Sequence, residues 1–161
     1  DLQKRIGNEY AKITWVAKKN LHLTLKFLGD VGDDKINLVQ EALMEVKEKK
    51  FTVALDSVGW YPNDYRINVV WVGLQPEKDI LNLHGAIELK LGSLSKKDER
   101  FSVHLTLGRV RFVKKREELL ILLRNLSVKK EEFLVDHFSL IKSELHKDGP
   151  KYALLEEYPL V

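Results

Sequence analysis

Two short segments of the chain pair a histidine with a threonine two positions later. His22 and Thr24 lie in the first segment, and His104 and Thr106 lie about half the chain length further on. Leucine or valine occupies the alternate positions around both pairs, a pattern typical of strands with one polar and one apolar face. Each motif therefore predicts a strand on which His and Thr share a face, about 6–7 Å apart along the strand.

These residue types fit one kind of chemistry if the two predicted strands are neighbours. Unperturbed imidazoles titrate near pH 6.5, so two of them can serve as an acid and a base near neutrality. Each such role contributes about 10²–10⁴-fold in rate. Threonine hydroxyls can hydrogen-bond phosphate oxygens as charge develops on them. The set matches the needs of phosphodiester cleavage without a metal.

The repetition of the motif carries the functional interpretation. A single His-x-Thr in a strand is more often a surface or satisfied histidine than a catalyst. Two copies in alternating stretches, half a chain apart, favour a shared site. A zinc site is the weaker alternative, because zinc takes three or four protein ligands and the chain has no cysteine. We therefore expect no metal.

The remaining sequence predicts how these motifs are positioned. The 161 residues, 44% hydrophobic and 32% charged, suit one soluble globular domain or two tightly joined halves. Helical and alternating patterns interleave along the chain, which predicts an α+β fold with largely antiparallel sheets. The predicted helices are 1–12, 34–46, 76–91 and 117–126. The predicted strands are 13–17, 21–27, 51–60, 67–72, 102–110, 133–145 and 152–155, with a turn at Gly149-Pro150 before the last.

A basic run follows the second motif, although the formal net charge is only +3. A run like this is usually a solvated face, but its place directly after the predicted active strand also fits a contact to an RNA backbone. Both interpretations stay open from the sequence. The run consists of Arg109, Arg111, Lys114, Lys115 and Arg116.

The two motifs and their flanks resemble the tandem signatures of a known superfamily. His22-Leu23-Thr24-Leu25 continues into Lys26-Phe27-Leu28-Gly29, and His104-Leu105-Thr106-Leu107 continues into Gly108-Arg109-Val110. Both resemble the 2H phosphoesterases, and in particular their RNA 2′,3′-cyclic phosphodiesterase branch, also called 2′-5′ RNA ligases. The resemblance covers essentially the whole chain.

The resemblance implies a bilobal architecture within one domain over residues 1–161. Two pseudo-symmetric lobes, with helices on the outside, would enclose a central cleft, and each lobe would contribute one His-x-Thr strand. Relatives also begin with a short apolar strand before the first helix. That strand has no counterpart here, because the sequence begins with Asp1 inside the predicted helix rather than with Met.

The resemblance also implies an activity. It is hydrolysis of a terminal RNA 2′,3′-cyclic phosphate to a 2′-phosphate, with no metal and no cofactor. In the family the second histidine is taken to activate water and the first to protonate the departing 3′ oxygen, which would make His104 the base and His22 the acid. The implied partner is an RNA end, and we expect a cytoplasmic monomer that is not membrane-bound.

Two further residues match positions that bind substrate in the family. Arg109 matches an arginine that contacts the phosphate, yet a regular pleat turns it away from His104, unless Gly108 permits a bulge. Phe27 matches an aromatic that can stack on a base. Its alternation with the core leucines makes core packing the favoured prediction.

Other functions remain open beside the hydrolase. The same site could join RNA ends, such as tRNA halves, through a 2′,5′ linkage, or act on cyclic nucleotides or ADP-ribose cyclic phosphate. An RNA-end binding protein with vestigial catalysis is a different class, disfavoured because both histidines are intact. We predict no catalytic role for His84, His137 or His146. The sequence favours core positions for Trp15, Trp60 and Trp71 and leaves Tyr61 undecided.

Overall fold

The computed structural model describes residues 1–146 and 149–161 as an α+β protein with antiparallel strand pairs, which confirms the predicted fold class. The helices are α1 (Leu2–Ile6), α2 (Asp33–Met44), α3 (Lys78–Leu91) and α4 (Arg116–Asn125). The strands are β1 (Ala11–Trp15), β2 (Phe51–Asn63), β3 (Arg66–Gln75), β4 (His104–Val113), β5 (Glu132–Val135), β6 (His137–His146) and β7 (Gly149–Pro159). No helix among the described residues is long and apolar enough to cross a membrane.

The described chain divides into two compact units, and each unit draws on both halves of the sequence. The first unit comprises Asp1–Thr24, Ala54–Gln75 and Ser102–Glu132, and the second comprises Leu25–Val53, Pro76–Phe101 and Phe133–Val161. Both His-x-Thr motifs belong to the first unit. The expectation that each lobe contributes one motif is therefore wrong, because the chain changes units several times instead of once.

The first unit is organised around a sheet with the strand order β1-β4-β3-β2-β5. One sheet face is apolar and packs on α4, as period-two alternation requires. Val70 and Val72 of β3 and Leu107 of β4 are at most 5% exposed, and they share a core with Leu119 and Leu123 of α4. The other face of β4 is consequently left to polar side chains.

The second unit has its own core beneath the β6–β7 hairpin. The helical spacing predicted for α2 and α3 is confirmed, since Val39 and Leu43 of α2 are buried with Leu83 and Ile87 of α3. Apolar residues at intervals of three and four place one stripe of each helix inward.

Four predicted elements differ from the structure. The helix predicted over residues 1–12 ends at Ile6, and β1 already begins at Ala11. Residues 21–27 form no continuous strand, and only Leu23 pairs, through an isolated antiparallel bridge to Leu105. Strand 133–145 is interrupted at Asp136. Gly149 and Pro150 open β7 instead of forming a turn. Residues 21–24 still alternate between partly buried and exposed side chains, although no hydrogen-bonded ladder forms there. The sequence pattern therefore predicted which way these side chains face, but not regular strand pairing.

Candidate active site

The two motifs meet in the first unit through the bridge between Leu23 and Leu105. In an antiparallel pair, residues opposite each other point to the same side. This register sets His22 opposite Thr106 and Thr24 opposite His104, on the face away from the two leucines. His22 and Thr24 are exposed, and His104 and Thr106 are partly buried. The structure therefore brings all four predicted residues onto one face of neighbouring chain segments.

Both imidazoles are held by the same local hydrogen bond. Nδ1 of His22 lies 2.7 Å from the carbonyl oxygen of Asn20, and Nδ1 of His104 lies 3.0 Å from the carbonyl oxygen of Ser102. A carbonyl can only accept, so each Nδ1 carries the proton and donates it. On both rings, Nε2 is then the nitrogen that this bond does not involve. In both motifs, the histidine donates to the backbone carbonyl of the residue two positions earlier, so the two copies share this hydrogen bond as well as their sequence.

Two aromatic rings and a serine surround His104. The ring of Tyr61 lies 5.3 Å from the imidazole, edge to face, and the indole of Trp71 lies 6.0 Å from it. The Tyr61 hydroxyl is 2.5 Å from Oγ of Ser102, whose carbonyl accepts the Nδ1 proton of His104. Ser102 thus links Tyr61 to His104, because its hydroxyl contacts the Tyr61 hydroxyl and its backbone carbonyl accepts from the imidazole of His104. No pattern in the sequence pointed to Ser102.

Trp71 lies on the sheet face that carries His104, so its predicted core position is wrong. It alternates with the buried Val70 and Val72 and pairs with Thr106 of β4. This parity could have been read from the sequence. Trp15 and Trp60, in contrast, pack against the first core as predicted.

Gly59 of β2 makes room for the Trp71 indole. The two residues are cross-strand partners, and a Cβ on Gly59 would lie 2.2 Å from Cζ2 of the indole. Real Cβ contacts are never so short, so any side chain here must displace the ring. Only glycine lets the indole lie across β2 and remain beside His104.

We expect Gly59→Ala to move Trp71 away from His104 and to destabilise the fold by about 1–3 kcal/mol, the usual cost of overpacking. Thermal unfolding and tryptophan fluorescence measure the two effects. Gly85→Ala in α3 is the matched control, because a Cβ there meets nothing within 4 Å and should stabilise the helix by about 0.5–1 kcal/mol. Unchanged fluorescence and stability in Gly59→Ala would contradict this packing.

A β-bulge determines where Arg109 points. Val70 pairs with Gly108 while Trp71 pairs with Thr106, so β4 has one extra residue at this point, Leu107. Such an insertion reverses the alternation beyond it. Arg109 then pairs with Val69 and shares the face of Trp71 and His104. The regular pleat predicted the opposite direction, and the bulge considered for Gly108 accounts for the difference.

Phe27 is 78% exposed, so its predicted core packing is wrong. Its neighbour Lys26 is buried instead, with only 4% of its side chain exposed. The Lys26 ammonium forms ion pairs with Glu88 and, at 3.0 Å, with Asp98. Residues 25–28 therefore depart from the alternation that precedes them, because an ion-paired lysine takes the inward position beside Phe27.

Burial and pairing act in opposite directions on this ion cluster. Desolvation favours the uncharged forms, but the hydrogen bonds to Glu88 and Asp98 outweigh it and raise the pKa of Lys26 above its ordinary value. Desolvation likewise opposes ionisation of Glu88, whose pKa is nevertheless lowered by Lys26 and by the backbone N–H of Asp98. All charges in the cluster are thus stabilised by one another.

His84 joins the same cluster and has a structural environment. Its Nδ1 lies 2.8 Å from the Leu25 carbonyl, and its ring stacks on Phe101 at 3.9 Å. His84, Glu88 and Asp98 have side-chain atoms close enough to hold a cation. Both carboxylates already bind the Lys26 ammonium, so a metal ion does not fit this group.

The family model described as LigT-like phosphoesterase matches this chain twice, over residues 1–71 and 72–152. The chain therefore belongs to the LigT-like phosphoesterase family, within the 2H superfamily. The two matched copies divide the sequence at its middle, whereas both compact units take segments from each copy.

Relatives and solved structures agree with this membership. An Archaeoglobus fulgidus protein named RNA 2′,3′-cyclic phosphodiesterase is 37% identical, over 89% of this chain and 81% of its own. A Methanocaldococcus jannaschii protein of the same name is 31% identical, over 98% and 96%. The structure of E. coli LigT complexed with 3′-AMP superposes with a TM-score of 0.74 at 25% identity, covering 98% of this chain and 85% of that one.

Proposed function

We propose that this phosphoesterase is an RNA 2′,3′-cyclic phosphodiesterase that opens a terminal cyclic phosphate to leave a 2′-phosphate. The observation that carries the proposal is the pair of histidines on one face, each fixed through Nδ1 to a backbone carbonyl. Two imidazoles with the same tautomer present two Nε2 atoms for proton transfer. The names of the relatives support RNA as the substrate.

The reaction needs one proton removed and one supplied. Nε2 of His104 takes a proton from water as its oxygen attacks phosphorus. The bond from phosphorus to the 3′ oxygen breaks, and Nε2 of His22 gives a proton to that oxygen. The products are a 2′-phosphate and a 3′-hydroxyl, and one proton has moved from His22 to the ribose while His104 has gained one. Exchange with solvent restores both rings.

The neighbouring side chains complete the proposed substrate site. Thr24 and Thr106 donate hydrogen bonds to the non-bridging phosphate oxygens, and the guanidinium of Arg109 adds a charge-assisted bond from the same face. Phe27 belongs to the second unit, and its 78% exposure supports the separate proposal that it stacks on a base. None of these roles requires a metal ion or a cofactor.

The same groups can catalyse a second reaction of the cyclic phosphate, in which a 5′-hydroxyl replaces water as the attacking group, the bond from phosphorus to the 3′ oxygen breaks and a 2′,5′ linkage forms. Water at high concentration favours hydrolysis over this ligation. We propose a monomer, because all four motif residues come from one unit of one chain. The absence of cysteine fits a reducing compartment such as the cytoplasm.

The proposal is tested with an oligoribonucleotide that ends in a 2′,3′-cyclic phosphate, incubated with the enzyme with and without excess EDTA. We expect complete conversion to a 2′-phosphate at rates that agree within about twofold, since no step of the proton transfers needs a metal. Mass spectrometry and phosphorus NMR identify the product. Loss of activity with EDTA would refute the metal-free mechanism, and a 3′-phosphate product would mean that the 2′ oxygen leaves.

A further inference from the structure

We propose that the RNA strand upstream of the cyclic phosphate lies along the outer face of β4 and β1, and that this surface makes the enzyme prefer polymers to cyclic mononucleotides. The inference rests on the proposed function and specifies its substrate. We call this surface the β4–β1 strip. It comprises Lys12 and Thr14 of β1 and Arg109, Arg111 and Phe112 of β4.

The strand register places the strip on the face that carries His104. Ala11 and Ile13 of β1 are buried in the core, so Lys12 between them points outward. Lys12 pairs with Phe112, and cross-strand partners share a face. A second irregularity in the pairing leaves Arg111 as an extra residue of β4 against β1. The two register shifts together turn Arg109, Arg111 and Phe112 outward in succession.

The charges on the strip complement a polyanion. All five of its residues are exposed, three of them are cationic, and none is acidic. The Arg111 guanidinium is positioned by a hydrogen bond from Nε to Oγ1 of Thr14, 2.9 Å long. Among the described residues nothing accepts from its two terminal nitrogens, which are the ones that form bidentate contacts to phosphate. A fixed arginine loses less entropy on binding than a free one.

An aromatic side chain lies among these cations. Phe112 is 54% exposed although it belongs to β4. Its cross-strand partner is Lys12, so a base on the ring and a phosphate on the ammonium could be bound side by side. Aromatic rings interleaved with cations are the usual platform for single-stranded nucleic acids.

The structure divides the basic run that follows the second motif. Lys114 donates from Nζ to the carbonyl oxygen of Asn8, 2.8 Å away, and Arg116 bonds the Glu117 carboxylate at 3.2 Å. These two cations are engaged by the protein itself. Arg109 and Arg111 are the members of the run that the register places on the catalytic face, which favours the RNA interpretation for them alone.

The length of the strip selects for a polymer. Phe112 lies eight positions after His104, and because two of these positions are the extra residues Leu107 and Arg111, the remaining six regular steps span roughly 20 Å. A cyclic mononucleotide bound at the histidines cannot reach Lys12, Arg111 or Phe112. An oligonucleotide can reach all three, so they should affect only the longer substrate.

The test compares two substrates in the full-length protein, 2′,3′-cyclic AMP and a ten-nucleotide RNA with the same cyclic end. The variants are Lys12→Glu with Arg111→Glu, and Phe112→Ser alone. Lys130→Glu is the control for charge, since Lys130 is an exposed residue of the same unit outside the strip.

We expect the double variant to lower kcat/KM for the oligonucleotide by about 100-fold and Phe112→Ser by about tenfold, with the mononucleotide unchanged within twofold. The dependence of log kcat/KM on log salt should flatten by about 1.4, for two lost phosphate contacts on a single strand. Equal losses on both substrates, no loss on either, or an equal loss in Lys130→Glu would overturn the proposal. If the unchanged enzyme hydrolysed neither substrate, the proposed function itself would fail.

Discussion

Replacing either His22 or His104 with alanine is expected to reduce hydrolysis of a 2′,3′-cyclic phosphate by about 10²–10⁴-fold, the value of one acid or base. The proposed reaction needs one ring to remove a proton and the other to supply one, so losing either ring already disables the pair. The double variant should therefore be only slightly slower than either single variant. His22 is exposed and His104 is partly buried, so neither change should unfold the protein. Single-turnover rates and thermal unfolding measure the two effects.

His137 and His146 serve as matched controls. Both are exposed and bound to acidic neighbours, His137 to Asp136 at 2.6 Å and His146 to Glu144 at 3.6 Å. Alanine at either position should leave the rate within about twofold. A His22 or His104 variant that kept a tenth of the activity would remove the proton-transfer role of that ring.

Lys26→Met is expected to cost about 3–5 kcal/mol in the free energy of unfolding, the typical result of removing one partner of a buried ion pair. The side chain is 4% exposed, and Glu88 and Asp98 would lose the cation that neutralises them. Lys90→Met is the control, since its pair with Glu45 is 3.9 Å long and largely exposed. Such pairs contribute at most about 1 kcal/mol. Equal losses in the two variants, measured by urea unfolding, would contradict the buried cluster.

The pH dependence of stability gives a second readout of this cluster. The folded pKa of Glu88 is lowered, so its contribution is present above the ordinary glutamate pKa of 4.5 and is lost as the pH falls through the folded value. Lys26 has a raised folded pKa, so its contribution is complete below 10.5 and is lost as the pH rises through the folded value. In Lys26→Met the backbone N–H of Asp98 still lowers the pKa of Glu88, but the contribution of the ammonium is lost and burial is opposed less strongly. The stability lost on acidification should therefore be smaller in Lys26→Met than in the unchanged protein.

Sequence alternation predicted which face carries His22, Thr24, His104 and Thr106, because burial follows the pleat whether or not a ladder forms. His22 and Thr24 face away from Leu21 and Leu23 although no continuous strand is present. The same rule failed for Arg109, since one extra residue reverses it and an insertion leaves no mark in a hydrophobic pattern. For Phe27 it failed because an ion pair buried the neighbouring lysine, and the acidic partners are more than 60 residues away in the chain.

The division into two units could not be predicted from the repeat. The chain changes from the first unit to the second directly after the first copy of the motif, at Thr24. After the second copy, β4 continues past Thr106 in the same unit. Local patterns report elements and their faces. They do not report which core an element joins, because both cores consist mostly of the same residue types, namely leucine, valine and isoleucine.

The extra residue at Leu107 has a consequence for protein engineering. A designer who grafts His-Leu-Thr-Leu-Gly-Arg onto a regular strand would aim the imidazole and the guanidinium at opposite sides of the sheet. Deleting Leu107 from this protein should do the same, turning Arg109 into the apolar layer and leaving Nε2 of His104 where it is. Arg109 lies an odd number of positions after His104, and the two side chains share a face only because β4 has one extra residue between them.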